Sequence, residues 1–186
     1  MQESKIAVIG AGTMGASIAL ALVSGGYPVL LKETDDKFLA KGFEVIDRLL
    51  ASKVKKGMTE EAASSLRQMI SGTTVYDDFA EVDFVIEAAS ENIDIKRQIF
   101  QDLDQYCHLE AILATNTSSL SISQIAGFTR RADKVVGMHF FNPAHIMKLV
   151  EVIPGLETSH DTVLSALELA TSLGKLAIRV EECASF

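Results

Sequence analysis

Lys5-Ile6-Ala7-Val8-Ile9-Gly10-Ala11-Gly12-Thr13-Met14-Gly15 is the stretch on which the fold turns. Its first part, Ile6 to Ile9, is a continuous apolar run, as expected of a strand buried on both faces. Its second part, Gly10 to Gly15, fits G-x-G-x-x-G. The first glycine permits a tight turn, the second lets backbone approach a pyrophosphate, and the third lets a helix pack close to the strand. Met14, Ile18 and Leu22 then recur every four residues, which predicts a helix to Ser24, ended by Gly25-Gly26. Pro28 to Glu33 reads as a second strand, with Val29-Leu30-Leu31 at its centre. Strand, helix and strand at this length form a βαβ unit.

The glycine pattern alone is weak, but its setting is not. It follows a strand, opens a helix, and is followed about 20 residues later by an acid at the end of strand two. Gly10, Ala11, Gly12, Thr13, Met14 and Gly15 are therefore expected to cradle a pyrophosphate. The helix N-terminus offers it free N–H groups and a partial positive charge. Glu33 is expected to accept hydrogen bonds from the adenosine ribose hydroxyls and to repel a 2′-phosphate, which favours NAD over NADP. Lys32 beside it reads as a solvated lysine.

Working outward, a long helix carries Leu39, Phe43, Ile46 and Leu50 on one face and ends in the basic run Lys53 to Gly57. Thr59 opens another helix, with Glu60-Glu61 in its first turn, and Ser71-Gly72 reads as a break. Strands are expected at 82–88, 111–115, 135–140, 146–153 and 176–180, and helices at 94–107 and 161–173. Near-continuous apolar strands alternating with helices imply an α/β, Rossmann-type, doubly wound and mostly parallel sheet with helices on both faces. Ligands in such sheets sit beyond the carboxyl ends of the strands. Gly10–Gly15, Glu33, Ala88–Asn92, Asn116–Ser119 and His139–Pro143 all follow strand ends.

Composition agrees with this class. The 186 residues are 48% hydrophobic and 23% charged, enough for one domain with a sizeable core. The net charge of −8 argues against a nucleic-acid partner. Lys53, Lys55 and Lys56 form one basic cluster and Lys96-Arg97 another, both read as solvated surface. Cys107 and Cys183 share no metal-ligand spacing, so no metal site is expected, and a reducing, cytoplasmic setting is the simplest reading. The residues before the first strand show no charged-then-apolar pattern, so no signal peptide is expected, and no run approaches the ~20 apolar residues of a membrane span. His108, His145 and His160 read as surface residues.

Three later stretches carry a resemblance. Asn116-Thr117-Ser118-Ser119-Leu120 and His139-Phe140-Phe141-Asn142-Pro143 follow strand ends, and Met147-Lys148-Leu149-Val150-Glu151-Val152 follows a short loop. With the glycine-rich turn, they resemble the NAD-binding domain of L-3-hydroxyacyl-CoA dehydrogenases over nearly the whole chain. Glu33 in the context Leu31-Lys32-Glu33 looks more like the domain inside multifunctional fatty-acid-oxidation enzymes, since single-function members usually have aspartate there.

The resemblance implies oxidation of L-3-hydroxyacyl-CoA to 3-oxoacyl-CoA, reversibly, in fatty-acid β-oxidation or butanoyl-CoA metabolism. It makes His139 the base, Glu151 its partner at the other ring nitrogen, and Ser118 the hydrogen-bonding partner of the substrate oxygen. Histidine suits the role because its pKa lies near neutrality. Asn116 would lie beside the nicotinamide ribose and help position the substrate. Glu91 and Lys96 match cofactor-contacting positions, Lys96 can also meet a CoA phosphate, and Lys56 is a weaker match to a CoA-contacting lysine. The resemblance further implies residues 1–182 as the Rossmann domain. Residues 183–186 would then begin a linker to a helical domain that covers the cleft and forms a homodimer, with Ser185 where a glycine often stands. Residues 1–186 are accordingly expected to bind NAD but to turn over substrate poorly. Two alternatives stay open: a dehydrogenase of another 3-hydroxy acid, against which His139-Phe140-Phe141 speaks, and a non-catalytic NAD(H)-binding module, which would not need His139, Ser118 and Glu151.

Overall fold

The computed structural model describes residues 4–183. The expectations about a leader at residues 1–3 and a linker at 184–186 lie outside the described residues. The elements run β1 (Ile6–Ile9), α1 (Thr13–Ser24), β2 (Val29–Lys32), α2 (Asp36–Lys55), α3 (Glu60–Gln68), β3 (Ile70–Thr73), β4 (Phe84–Glu87), α4 (Ile93–Tyr106), β5 (Ile112–Thr115), α5 (Ile122–Ala126), β6 (Val135–Phe140), β7 (Leu149–Pro154), α6 (His160–Ser172) and β8 (Leu176–Arg179). They form one sheet in the order β3-β2-β1-β4-β5-β6-β7-β8. Every neighbouring pair is parallel except β6 with β7. This is the doubly wound sheet expected from the sequence.

Helix starts follow local chemistry. Asp35, Thr59, Asn92, Ser121 and Ser159 each accept a backbone N–H of the first turn of α2, α3, α4, α5 and α6 respectively, satisfying donors that the helix itself leaves unpaired. Strand side chains alternate between two cores. Ile6 and Val8 of β1 pack with α1, α2, α3 and α6, whereas Ala7 and Ile9 pack with Phe100 and Leu103 of α4 and Ile122 and Ile125 of α5. No helix among the described residues is long and apolar enough to cross a membrane.

Two elements differ from expectation. Ser71-Gly72 is not a break but the middle of edge strand β3. Its glycine has a steric reason: a Cβ there would stand 2.8 Å from the Phe43 ring and 2.9 Å from Leu39 of α2. The segment after Asn116–Ser119 also carries a short helix, α5, which covers Gly137 of β6 closely.

Candidate active site

The glycine-rich turn joins β1 to α1. Gly10 has φ +91°, in the left-handed region, and a Cβ there would lie 2.8 Å from the Ala88 carbonyl oxygen. At Gly15 a Cβ would fall 1.7 Å from the Gly10 carbonyl oxygen, so only glycine lets α1 approach this closely. At Gly12 a Cβ would meet nothing within 4 Å, so the outer side of the turn is open. Gly12 and Thr13 are exposed, Met14 is half-buried, and the first turn of α1 carries no acid to compete for an anion. Glu33 closes the far side. Its Oε1 accepts the Ala11 N–H at 2.7 Å and its Oε2 the Thr34 N–H at 3.0 Å. These residues fit a dinucleotide: an open, N–H-lined turn for the pyrophosphate and a fixed carboxylate at the adenosine end.

Lys32 is not solvated, contrary to the sequence reading. It is buried, with Nζ 4.1 Å from the centre of the Tyr76 ring. Burial lowers its pKa, against the nearby charges of Asp102 and Glu33, which raise it. Its charge lies over an aromatic face.

The catalytic candidates meet where β6 and β7 run antiparallel. His139 pairs directly with Glu151 in that register, and His139 Nδ1 lies 2.8 Å from Glu151 Oε2. Their side chains are 16% and 17% exposed, sheltered but reachable. Met138, Phe140, Val150 and Val152 point into the core with α1 and α6, so His139 and Glu151 face the opposite side of the sheet. The Phe141 ring lies 4.6 Å from the imidazole, centre to centre. Asn116 joins this strand to its neighbour: its Oδ1 accepts the Phe140 N–H at 2.8 Å. Ser118 is exposed, just past the end of β5, where Thr115 pairs with Gly137 of β6.

Glu91 holds the Ser118 turn. Its Oε1 accepts from Thr117 Oγ1, from the Ser118 N–H at 3.1 Å and from Ser119 Oγ at 3.2 Å. Burial pushes its carboxyl up, but the Thr117 bond, the Lys96 charge and the serine bonds outweigh this and hold it below the usual carboxylate range. Lys96 differs most from expectation. Its side chain is 1% exposed, and its ammonium lies 2.7 Å from both oxygens of Glu87 and 3.5 Å from Glu91 Oε2. It is therefore not solvated surface. Glu87, which the sequence reading missed, is fully buried and also accepts from the Ala89 N–H and Thr115 Oγ1. Its position, four residues before Glu91 at a strand end, was the available signal.

Lys56, exposed at the end of α2, belongs to a second cluster. Burial and the charges of Lys53, Lys175 and Lys56 together hold the His145 pKa below 6.5. His145 is not a free surface residue: its Nδ1 lies 2.8 Å from Ser17 Oγ of α1, and its N–H donates to the same oxygen. Lys175 donates to the Ala144 and Met147 carbonyls at 2.6 and 2.8 Å. The basic end of α2 thus lies by the loop that links His139 to Glu151.

The family model described as the 3-hydroxyacyl-CoA dehydrogenase NAD-binding domain matches residues 5–183. The chain is 42% identical over 183 residues to the peroxisomal fatty acid beta-oxidation multifunctional protein MFP2 of Arabidopsis thaliana, covering 98% of this chain and 25% of the relative. It is 44% identical to a 3-hydroxybutyryl-CoA dehydrogenase of Clostridioides difficile, covering 98% and 65%. The crystal structure of (S)-3-hydroxybutyryl-CoA dehydrogenase PaaH1 from Ralstonia eutropha superposes with a TM-score of 0.95 at 41% identity, covering 98% of this chain and 65% of that one. The chain thus spans a quarter of the multifunctional relative and about two thirds of the shorter ones.

Proposed function

The chain belongs to the family of the 3-hydroxyacyl-CoA dehydrogenase NAD-binding domain, whose cofactor is NAD, and we propose that it serves the NAD-dependent, reversible oxidation of L-3-hydroxyacyl-CoA to 3-oxoacyl-CoA. The observation that carries this reading is the His139–Glu151 pair, 2.8 Å apart on adjacent antiparallel strands. Bound NAD supplies the acceptor for the hydride from carbon 3. In this reading His139 takes the hydroxyl proton, and returns it in the reverse direction. Glu151 holds Nδ1, so the proton moves at Nε2. The carboxylate fixes that tautomer and stabilises the imidazolium as it forms. Ser118 hydrogen-bonds the substrate oxygen. Asn116 spends its carbonyl oxygen on the Phe140 N–H and keeps its NH2 donors for the ribose or substrate. Gly10 to Gly15 and Glu33 hold the dinucleotide, Glu91 orders the turn beside it, and Lys56 meets an acyl-CoA phosphate.

The names of the relatives place such chemistry in fatty acid beta-oxidation or 3-hydroxybutyryl-CoA metabolism. Homodimer formation and a cytoplasmic setting belong to the same proposal; the two free cysteines suit a reducing compartment. The test is NADH oxidation with acetoacetyl-CoA. His139→Gln is expected to lower kcat by ~10²–10⁴ with the NADH Kd unchanged. Near wild-type turnover in that variant would place the base elsewhere.

A further inference from the structure

The segment that follows β8 stays bound to the sheet. The Val180 N–H donates to the Val152 carbonyl of β7 at 2.9 Å, and the Val180 side chain packs against the core that holds Ile122, Ile125 and Ile153, on the face shared by His139 and Glu151. Two residues on, Glu182 reaches the start of α5. Its Oε1 accepts from Ser121 Oγ at 2.7 Å and from the Ser123 N–H at 3.1 Å, and its Oε2 accepts from Ser123 Oγ. Ser123 Oγ in turn accepts the Leu156 N–H at 2.9 Å. A Cβ at Gly155 would stand 3.0 Å from the Ser123 nitrogen, so the turn after β7 is drawn against the same knot. One carboxylate thus joins three pieces of chain that are distant in sequence. Burial pushes its carboxyl up, but the bonds from Ser121 and Ser123 outweigh this and hold it below the usual carboxylate range. All of these partners are neutral. A half-buried carboxylate loses hydration with no cation in return, so an apolar contact would fasten the segment at less cost. What the carboxylate adds is a fixed place, because several charge-assisted bonds hold it from different directions.

The start of α5 is also the end of the loop that carries Ser118. Thr117 Oγ1 accepts the Ser119 and Leu120 N–H groups at 3.3 and 2.9 Å, and Ser121 Oγ accepts the Gln124 N–H at 3.0 Å. Ser118 therefore lies in a run of turns that leads directly into the knot. We propose that Glu182 is a positioning residue: it fixes this loop at Ser121 and so couples the segment after β8 to the pose of Ser118. The functional consequence rests on the reading above, in which Ser118 meets the substrate oxygen. The coupling itself does not, and it is tested without turnover.

The experiment compares wild type with Glu182→Ala and Glu182→Gln. Amide hydrogen exchange is read at Ser123 and Leu120, with Leu113 of β5 as the internal reference, and NADH affinity is measured on the same samples. In Glu182→Ala, exchange at Ser123 is expected to rise about ten- to a hundredfold, the opening factor for losing a hydrogen bond to a charged group. Leu120 is expected to rise at least about threefold as the loop opens with it, while Leu113 stays protected. The NADH Kd stays within about twofold, and kcat for acetoacetyl-CoA falls at least about threefold without a matching rise in KM. Unmoved Ser123 exchange overturns the proposal, because Glu182 would then hold nothing in place. A rise at Ser123 with Leu120 unmoved overturns it too, because the knot would then be local. So does a loss of NADH affinity of about tenfold, which would place the effect in the dinucleotide half. If Glu182→Ala fails to fold, Glu182→Gln decides on the same amides. It is nearly isosteric but turns one acceptor into a donor, and a rise of about threefold at both amides is expected. Failure of the dehydrogenase reading appears separately, as unaffected turnover in His139→Gln.

Discussion

Glu33 accepts two backbone N–H groups and, with two lone pairs on each oxygen, retains capacity for both ribose hydroxyls. The same charge opposes a 2′-phosphate, and the adjacent Lys32 is buried over the Tyr76 ring with its ammonium at the Glu33 carbonyl. NAD(H) is therefore expected to bind at least about tenfold more tightly than NADP(H), a 1.4 kcal/mol preference, and Glu33→Ala to erase most of it. Titration calorimetry with both cofactors checks this; equal affinities in wild type would remove the ribose-bonding role. His145 reports on the other end of the site. Burial and the charges of Lys53, Lys175 and Lys56 hold its pKa below the ordinary imidazole value, and its Nδ1 lies 2.8 Å from the Ser17 hydroxyl oxygen, which also accepts the His145 backbone N–H. A depressed value means that its stabilising contribution is present above pH 6.5 and lost as pH falls through the native-state value. A CoA phosphate beside Lys56 offsets the lysine charges, so CoA is expected to move the His145 titration upward in NMR; no movement would place CoA elsewhere. At this scale the site was legible wherever the motif is contiguous. Glu33 could be named from its strand-end position, and His139 and Glu151 from the motifs that carry the resemblance. The burial of Lys32 and Lys96 could not, because it depends on Tyr76 and Glu87, which only the folded sheet brings beside them.

Elements are tied together by polar clamps as much as by apolar faces. Asp104 of α4 accepts Arg131 Nε at 2.9 Å and Arg130 Nε at 2.8 Å, and so fastens α4 to the segment leading into β6. Arg131 is itself buried and donates to the Asp104, Cys107 and His108 carbonyls. Burial pushes the Asp104 carboxyl up, but the two arginines outweigh it and hold it below 3.8. A depressed carboxylate contributes stability above its unfolded value and loses it as pH falls through the native one. Asp104→Asn is expected to cost about 3 kcal/mol by leaving a buried guanidinium unpaired, or about 6–12 °C in Tm at pH 7. The gap between wild type and variant should close below pH 3.8; a gap constant with pH would mean that the charge pairing is not the cause. The start of α3 was readable from Thr59, whose side chain bonds the first turn. Strand β3 was not. Ile70-Ser71-Gly72-Thr73 is short, exposed at its centre and lacks apolar alternation, and it is a strand because β2 pairs with it and Phe43 lies across its glycine.

Across the whole molecule, the two faces of the sheet are finished differently. The face toward α1, α2, α3 and α6 is covered from β3 to β8. On the other, α4 and α5 reach as far as Ile153 of β7, which is buried with Ile122 and Ile125. Beyond them, His139 and Glu151 share a face with Leu149, Leu176 and Ile178, the last two 64% and 38% exposed. The cofactor half of the site is therefore a closed piece of structure, with its turn, its acid and its helix N-terminus all fixed. In the proposed reading, the substrate half is one wall. A substrate held by one wall keeps much of its rotational freedom, and misplacement by about 1 Å can cost ~10²-fold. Water at an open face also weakens the electrostatic support that Glu151 gives His139. Residues 1–186 are therefore expected to bind NADH with ordinary affinity, yet to reduce acetoacetyl-CoA at least about a hundredfold more slowly than the longer Clostridioides difficile relative under the same conditions. Stopped-flow NADH oxidation, with NADH affinity measured on the same sample, separates the two halves. Comparable turnover would show that one wall suffices to orient the 3-carbon. Loss of NADH binding would instead show that the turn and Glu33 do not form a site on their own.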